Sequence, residues 1–118
     1  MTDAISRHHG NGRMSQIVEH AGIVYLAGQV ADPAKDISAQ TEEVLAKIDG
    51  LLGEVASDKT CILSATIWLK FMSDFAAMNA VWDAWVPADN EPARACTEAA
   101  LAHPDMLVEI MVTAVSGR

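Results

Sequence analysis

The sequence predicts an α+β domain in which one mixed β-sheet carries two helices on one face. Three patterns support this prediction: short segments with alternating apolar residues, two segments with apolar residues at helical spacing, and the order ββαβαββ. The 118 residues are enough for one domain with a core of its own. No linker or low-complexity stretch divides them, so we expect a single domain over residues 1–118.

The predicted domain begins with a polar, glycine-containing lead-in, residues 1–12, which we expect to be flexible. Two strands are predicted next, at 15–20 and 23–29, and only Ala21 and Gly22 separate them. So short a connection indicates a tight hairpin. Residues 31–37 contain Asp32-Pro33 and are predicted to form a loop.

Two helices are predicted from apolar stripes. The first has a continuous stripe and an N-cap at Asp36 or Ser38. Its stripe consists of Val44, Leu45, Ile48, Leu51, Leu52 and Val55. The second should be capped by Ser73 and stopped by Pro87. Its buried stripe should consist of Phe75, Met78, Trp82, Trp85 and Val86.

Three further strands are predicted at 61–70, 93–100 and 106–116, and the last two are expected to form a hairpin around residues 103–105. In the first of them, alternation places Leu63, Ala65, Ile67 and Leu69 on one face and Ile62, Ser64, Thr66 and Trp68 on the other. Two helices can cover only one face of the sheet. The face that carries Trp68 therefore needs cover, and a neighbouring subunit is its simplest source.

Composition and charge narrow the classes of partner. A chain that is 51% hydrophobic and 20% charged is not disordered. Its net charge is −8 and its eight Lys and Arg residues are scattered, which argues against nucleic acid and against anionic membranes. Two cysteines, no apolar leader and no apolar run near about 18 residues favour a cytoplasmic protein with free thiols.

Sequence motifs for metal or cofactor binding are absent. The chain has no GxSxG, Walker A or HExxH motif and no GxGxxG between a strand and a helix. His8 and His9 are adjacent in the lead-in, where such pairs are usually incidental, and His20 and His103 fall at predicted turns. We therefore expect no metal and no cofactor.

Two charged residues interrupt apolar strands and are the candidates for chemistry. Arg94 has only small neighbours, and its guanidinium is suited to binding a carboxylate in bidentate fashion. Glu109, on the neighbouring strand of the expected hairpin, could polarise a water. The alternative is structural: Arg94 forms an ion pair with a carboxylate, or it lies on a face exposed to solvent. Glu98, on the same face, is the obvious partner for such an ion pair. Cys96 shares that face but has no identified histidine partner as a nucleophile.

Four segments, in this order and spacing, carry a resemblance to a known family. They are 24–30 (VYLAGQV), 75–82 (FAAMNAVW), 92–98 (PARACTE) and 108–110 (VEI). Over residues 15–115 the chain resembles the RidA family, formerly YjgF, of reactive intermediate deaminases. The most specific part is Pro92-Ala93-Arg94 with Glu109 fifteen residues after the arginine.

The resemblance implies a chorismate-mutase-like α+β fold and a homotrimer whose sheets build a central barrel, with three clefts between subunits. Active members hydrolyse 2-imino acids, or their enamine tautomers, to 2-oxo acids and ammonia. These imines arise from pyridoxal-phosphate enzymes, and the hydrolysis needs no metal or cofactor. The resemblance thus predicts a 2-iminobutanoate/2-iminopropanoate deaminase-like hydrolase.

Carried over by position, the resemblance also implies roles for individual residues. Arg94 would bind the substrate carboxylate and Glu109 would hold and activate the attacking water. The backbone around Cys96 would bond the imine nitrogen, and Gly28 would let the backbone approach the ligand. Asn79 matches an asparagine of the family pattern and is expected to play a supporting part.

Three departures from the family pattern leave a second function open. Met14 stands where family deaminases usually have a cleft-lining tyrosine, and we count it among the substrate-contacting residues. Ala27 replaces a common serine, and the turn before the last strand has His103 where a proline is usual. The alternative function is carboxylate-ligand binding or pathway-specific hydrolysis in the same cleft. An RNA-directed activity, which the family's naming sometimes suggests, fits the charge of −8 poorly.

Overall fold

The computed structural model describes residues 4–117 as a six-stranded sheet with two helices. The strands are β1 (Ser6–His8), β2 (Ile17–His20), β3 (Ile23–Leu26), β4 (Ile62–Leu69), β5 (Ala93–Glu98) and β6 (Val108–Val115). The helices are α1 (Ile37–Glu54) and α2 (Phe75–Trp85), and 3₁₀ turns at Lys59–Cys61 and Met72–Asp74 flank β4. The α+β prediction with a mixed sheet is confirmed.

The strand order is β1-β2-β3-β6-β4-β5. All neighbours are antiparallel except β4 and β5, which run parallel and are joined through α2. The predicted hairpin between the last two strands is therefore wrong. β4 lies between β5 and β6 and pairs with both. Closeness along the chain favoured the hairpin, but a crossover helix returns the chain beside β4 in parallel.

The β2–β3 hairpin is confirmed, with Ile17 opposite Leu26 and His20 opposite Ile23. Ala21 and Gly22 both have positive φ angles, 52° and 79°. Two consecutive residues of this kind make a turn whose twist matches that of the strands.

A first strand was not predicted. Residues 1–3 of the expected lead-in lie outside the described residues, but β1 pairs with β2 and His8 Nε2 lies 2.8 Å from Glu19 Oε2. Part of the expected lead-in, residues 6–8, is therefore a strand of the sheet. Three polar residues give no period that could be read from the sequence, so only the pairing with β2 defines this strand.

Helix α1 begins at the predicted N-cap, since Asp36 Oδ1 accepts from the Ala39 N–H at 2.9 Å. Val44, Leu45, Ile48 and Leu52 are buried against the sheet. Gln40 is also fully buried. Its amide donates to the carbonyls of Lys35 and Asp105, at 2.9 and 3.0 Å, and accepts from the Leu107 N–H at 2.8 Å. This amide therefore anchors the loop before β6 to the helix.

Helix α2 does not use the predicted cap. Ser73 lies inside the preceding 3₁₀ turn, and the residue at the cap position, Asp74, makes no side-chain capping bond. Met78 and Trp82 are buried as predicted, but Phe75 is 39% exposed.

The two faces of the sheet differ sharply. The face toward the helices carries the buried core residues of β2, β3, β4 and β6, with the partly buried Cys96 of β5 packed against them. On the other face, Tyr25, Met111 and Val115 are exposed. The predicted alternation in β4 fails at its start, because a bulge shifts the register between Ile62 and Ser64. Ile62 is consequently buried and Leu63 is 48% exposed.

Candidate functional site

Arg94 lies on β5, the edge strand, and its side chain packs against α2. In the parallel register Arg94 is opposite Ala65, a core residue, which places it on the helix-covered face. Its Nη1 donates to Asn79 Oδ1 at 2.8 Å. The guanidinium carbon also lies 5.3 Å from the ring centroid of Trp82 and 5.9 Å from that of Phe75. One face of α2 thus holds the cation.

The guanidinium has no carboxylate partner among residues 4–117, whose ion pairs involve only His8, His9, Lys35 and Lys47 as cations. Glu98, the competing partner considered in the sequence, instead accepts from the Met72 N–H at 2.7 Å. A half-buried arginine without an anion is unusual, because burial of a charge is costly unless it is compensated. Its remaining N–H donors are therefore available to an anionic ligand.

Cys96 lies beside Arg94 on the same face of β5 and is half-buried against the core. Burial raises the pKa of its thiol, and the nearby Arg94 charge only partly offsets this effect. Because the thiolate is the nucleophilic form, a raised pKa disfavours a nucleophilic role for Cys96.

Glu109 lies on the opposite face of the sheet from Arg94. It pairs with Trp68 across β4 and β6, on the face of the sheet away from α1 and α2. Burial raises the pKa of its carboxyl above the usual value, and no cation among the described residues pairs with it. A raised pKa suits a carboxylate that takes up a proton during a reaction.

Gly28 makes room for this carboxylate. A Cβ atom placed on Gly28 would overlap Glu109 Oε2 and lie 3.0 Å from Glu109 Cδ. The resemblance implies that Gly28 lets the backbone approach a ligand. In this chain, the Glu109 carboxylate occupies the space that a side chain at position 28 would fill. The position of the Glu109 carboxylate therefore depends on the lack of a side chain at Gly28.

The structure thus brings Arg94, Asn79 and Cys96 together on one face and Gly28 and Glu109 together on the other. The prediction that Glu109 lies on a strand neighbouring that of Arg94 is wrong, since β4 separates them. Met14 lies in the β1–β2 loop with its side chain 42% exposed, and its N–H donates to Asn11 Oδ1 at 2.9 Å. Within one chain, no single substrate atom can face both charged groups.

Sequence inspection considered Trp82 and Phe75 only as members of a buried stripe and so missed their contact with Arg94. The signal was present in the spacing, because Phe75, Asn79 and Trp82 are four and three residues apart and so share one helix face. What the spacing could not show was that β5 would return beside this face.

Other features of the structure are weaker candidates for a functional site. A groove of about 530 Å³ between α1 and α2, lined by Glu42, Asp49 and Trp85 among others, contains none of the predicted site residues. His9 Nε2 lies 2.6 Å from Glu54 Oε1, so the adjacent histidines contact separate glutamates.

No cluster of three or more potential metal ligands is found in residues 4–117. The same residues include no helix long and apolar enough to cross a membrane.

Comparison with known proteins gives the family. Residues 4–116 match the family described as Endoribonuclease L-PSP. A RutC family protein of Haemophilus ducreyi is 45% identical over 111 residues, which cover 93% of this chain and 95% of that protein. The chain belongs to the YjgF/RidA/RutC family. The RutC family protein YoaB of Escherichia coli K12 is 41% identical over 110 residues, covering 93% and 96%.

A solved structure of the YjgF/RidA/RutC family supports the same assignment. NMB1025 of Neisseria meningitidis, a YjgF protein, superimposes with a TM-score of 0.95 at 45% identity, and the match covers 98% of this chain and 97% of that one. The RidA resemblance inferred from four segments is thereby confirmed. The open six-stranded sheet with two helices is accordingly the family's fold in this chain.

Proposed function

We propose that this protein hydrolyses 2-imino acids or their enamine tautomers to 2-oxo acids and ammonia, at a cleft formed by two copies of the chain. The half-buried Arg94 guanidinium, which has no carboxylate partner among residues 4–117, is the observation that carries the proposal. A 2-imino acid offers one fixed anion. Arginine binds such a carboxylate through two parallel hydrogen bonds.

The need for a second copy follows from the faces of the sheet. Arg94 faces the helices and Glu109 faces away from them, so the two can act on one substrate only if they come from different chains. The uncovered face presents Tyr25, Met111 and Val115 to solvent, and β5 is an edge strand with peptide groups directed outward. A homotrimer in which these faces meet around a central barrel would satisfy both requirements.

The hydrolysis needs only the imine, one water and the Glu109 carboxyl. Glu109 takes a proton from water as the water oxygen bonds to the imine carbon, and it delivers that proton to the nitrogen. The same carboxyl then moves the hydroxyl proton of the resulting carbinolamine to the nitrogen, the C–N bond breaks, and ammonia and a 2-oxo acid are released. The backbone at Cys96 would bond the nitrogen, and Met14 would line the cleft near the substrate side chain. Orientation of water and substrate then supplies most of the acceleration.

A second candidate is binding of a carboxylate ligand, or pathway-specific hydrolysis, without the usual iminobutanoate deaminase activity. Met14 and Ala27 favour it, because both replace polar groups of the family pattern by apolar ones. Turnover of 2-iminobutanoate generated in situ separates the two candidates. An RNA-directed activity remains disfavoured by the net charge of −8.

Complementation between two inactive variants tests the shared site. Arg94→Ala and Glu109→Gln should each lose turnover. When the two chains are unfolded together and refolded in equal amounts, about a quarter of the clefts should combine an intact Arg94 with an intact Glu109. Turnover should therefore return to about a quarter of the parent's value, and sedimentation should give three times 12.6 kDa.

Two results would count against the proposal. A mixture as inactive as its components would show that the two residues do not meet across chains. A monomer at micromolar concentration would remove the cleft altogether. The matched control is the mixture of Arg94→Ala with the double variant Arg94→Ala/Glu109→Gln, which should stay inactive because no chain in it supplies Arg94.

A further inference from the structure

We infer that Trp82 is a positioning residue that orients the Arg94 guanidinium for carboxylate binding, an inference that rests on the proposed function. Trp82 is only 5% exposed, and its ring centroid lies 5.3 Å from the guanidinium carbon. Asn79, one turn earlier on the same face of α2, accepts from Nη1 at 2.8 Å. Ring and amide thus hold the cation from one helix face.

The choice of an aromatic ring has a chemical consequence. A carboxylate in this place would neutralise Arg94 and occupy the N–H donors that a substrate needs. An aromatic face attracts the cation through its quadrupole without accepting from any of those donors. Trp82 can therefore order a long side chain while its charge and remaining donors stay available to an anion.

Trp85 is a natural control for this inference. Its ring centroid is 5.4 Å from that of Trp82, so the two share a helix and a neighbourhood. Its polar contacts lie elsewhere: the indole N–H donates to Asp49 Oδ2 at 3.0 Å, and Lys59 Nζ lies 5.3 Å from the ring centroid. A general disturbance of α2 should arise from either tryptophan, whereas an effect on Arg94 should arise from Trp82 alone.

The test compares Trp82→Leu, Trp82→Phe and Trp85→Leu in 2-oxobutanoate binding by calorimetry, in kcat and KM with 2-iminobutanoate, and in melting temperature. Trp82→Leu should weaken 2-oxobutanoate binding about 3- to 30-fold, because the cation–π attraction is lost. KM should rise by a similar factor while kcat changes less. Trp82→Phe should restore most of the affinity, and Trp85→Leu should bind like the parent even if it melts earlier.

If Trp82→Leu does not fold, fluorination of the ring provides the same test without a change of shape. In a Trp68→Phe/Trp85→Phe background, tryptophan is replaced biosynthetically by mono- and difluorinated analogues, which weaken the π-face stepwise. The logarithm of the dissociation constant for 2-oxobutanoate should rise with each fluorine. A constant affinity across this series would overturn the inference.

Arg94→Ala, measured in parallel, separates this inference from the proposed function. If Arg94→Ala still binds 2-oxobutanoate like the parent, the proposed function fails. If Arg94→Ala loses binding while Trp82→Leu and Trp85→Leu both bind like the parent, the proposed function stands and the role of Trp82 is refuted. Equal losses in Trp82→Leu and Trp85→Leu would refute it as well, by showing a general effect of α2.

Discussion

The surroundings of Arg94 and of Glu109 differ in how many layers of the fold support each group. Arg94 is held by a helix and a sheet, with an amide at 2.8 Å and two aromatic rings within 6 Å. Glu109 is held by the sheet alone, between Trp68 on β4 and the bare backbone of Gly28. The cation is thus oriented within one chain, whereas the carboxylate lies on the face of the sheet away from α1 and α2.

On the proposed function, this difference would assign binding to the Arg94 side and proton transfer to the Glu109 side. A preorganised cation contributes affinity, because the cost of ordering the side chain is met before the ligand arrives. A carboxylate that titrates must change its charge during the reaction, and a sparse setting with a raised pKa suits that task. On the proposed assembly, variants on the Arg94 side should affect binding first and variants on the Glu109 side should affect turnover first.

The largest effect is expected for Arg94→Ala. Turnover as kcat/KM should fall about 30- to 1,000-fold, and 2-oxobutanoate binding should be lost with it, because a charge-assisted pair is removed. Arg94→Lys should recover little of the loss, since an ammonium cannot form the bidentate pair. The melting temperature should stay near the parent's, because Arg94 has no carboxylate partner within residues 4–117 to leave unpaired.

The control for that variant is Glu98→Gln, on the same face of the same strand. Glu98 accepts from the Met72 N–H and not from Arg94, so its loss should leave binding intact. An Arg94→Ala chain that unfolds would instead favour a structural role for the contacts of Arg94 with α2. One that remains fully active would end the deaminase assignment.

Gly28→Ala should affect the Glu109 carboxylate and not Arg94. The new methyl group would displace the Glu109 carboxylate, a flexible group, so the chain should still fold while kcat falls about tenfold or more. Binding of 2-oxobutanoate at Arg94 should change little. In a Glu109→Gln background the same substitution should cost much less in kcat, and equal losses in both backgrounds would disconnect Gly28 from the carboxylate.

Met14→Tyr should give a smaller, selective effect. If Met14 lines the cleft, a tyrosine in its place should raise the turnover of small iminobutanoate-type substrates about two- to fivefold relative to bulky apolar ones, through about 0.5–1 kcal/mol from one hydrogen bond. The ratio of kcat/KM values for the two substrate types is the measurement. An unchanged ratio would place Met14 outside the cleft.

The smallest effect concerns stability and pH. Burial raises the pKa of the Glu109 carboxyl, so the stability tied to its protonated form is present below the unfolded pKa and is lost as pH rises through the folded one. The glutamine of the Glu109→Gln variant does not titrate, so the melting temperature of the variant should rise relative to that of the parent as the pH increases from 3 to 7. A constant difference in melting temperature between variant and parent across this range would show that burial does not raise the pKa of Glu109.

Local patterns predicted most of the fold because they depend on neighbours in sequence. The stripe of α1, the cap at Asp36 and the β2–β3 turn all follow from residues within a few positions of each other. The bulge that exchanges Ile62 and Leu63, and the parallel pairing of β4 with β5, depend on partners distant in sequence. Neither feature could be predicted from the alternation of apolar and polar residues along the strands.

The candidate site was predicted in its composition but not in its geometry. A charge within an apolar strand is conspicuous, and this singled out both Arg94 and Glu109. Which face each occupies depends on the pairing of β4 with two different strands, and a shift of one residue would exchange the faces. The separation of the two charges across the sheet could therefore be seen only once the register was known.

The strand order also bears on how the chain acquires its fold during synthesis. β6 lies between β3 and β4 in the sheet but follows every other element along the chain. The meander of β1 to β3 and the β4-α2-β5 unit therefore leave the ribosome before the strand that joins them. Each exposes an apolar face and an open edge during that interval, which makes nascent chains vulnerable to aggregation. We expect chains stalled before Val108 to depend on chaperones, and the carboxylate half of the site to appear only at the final step of folding.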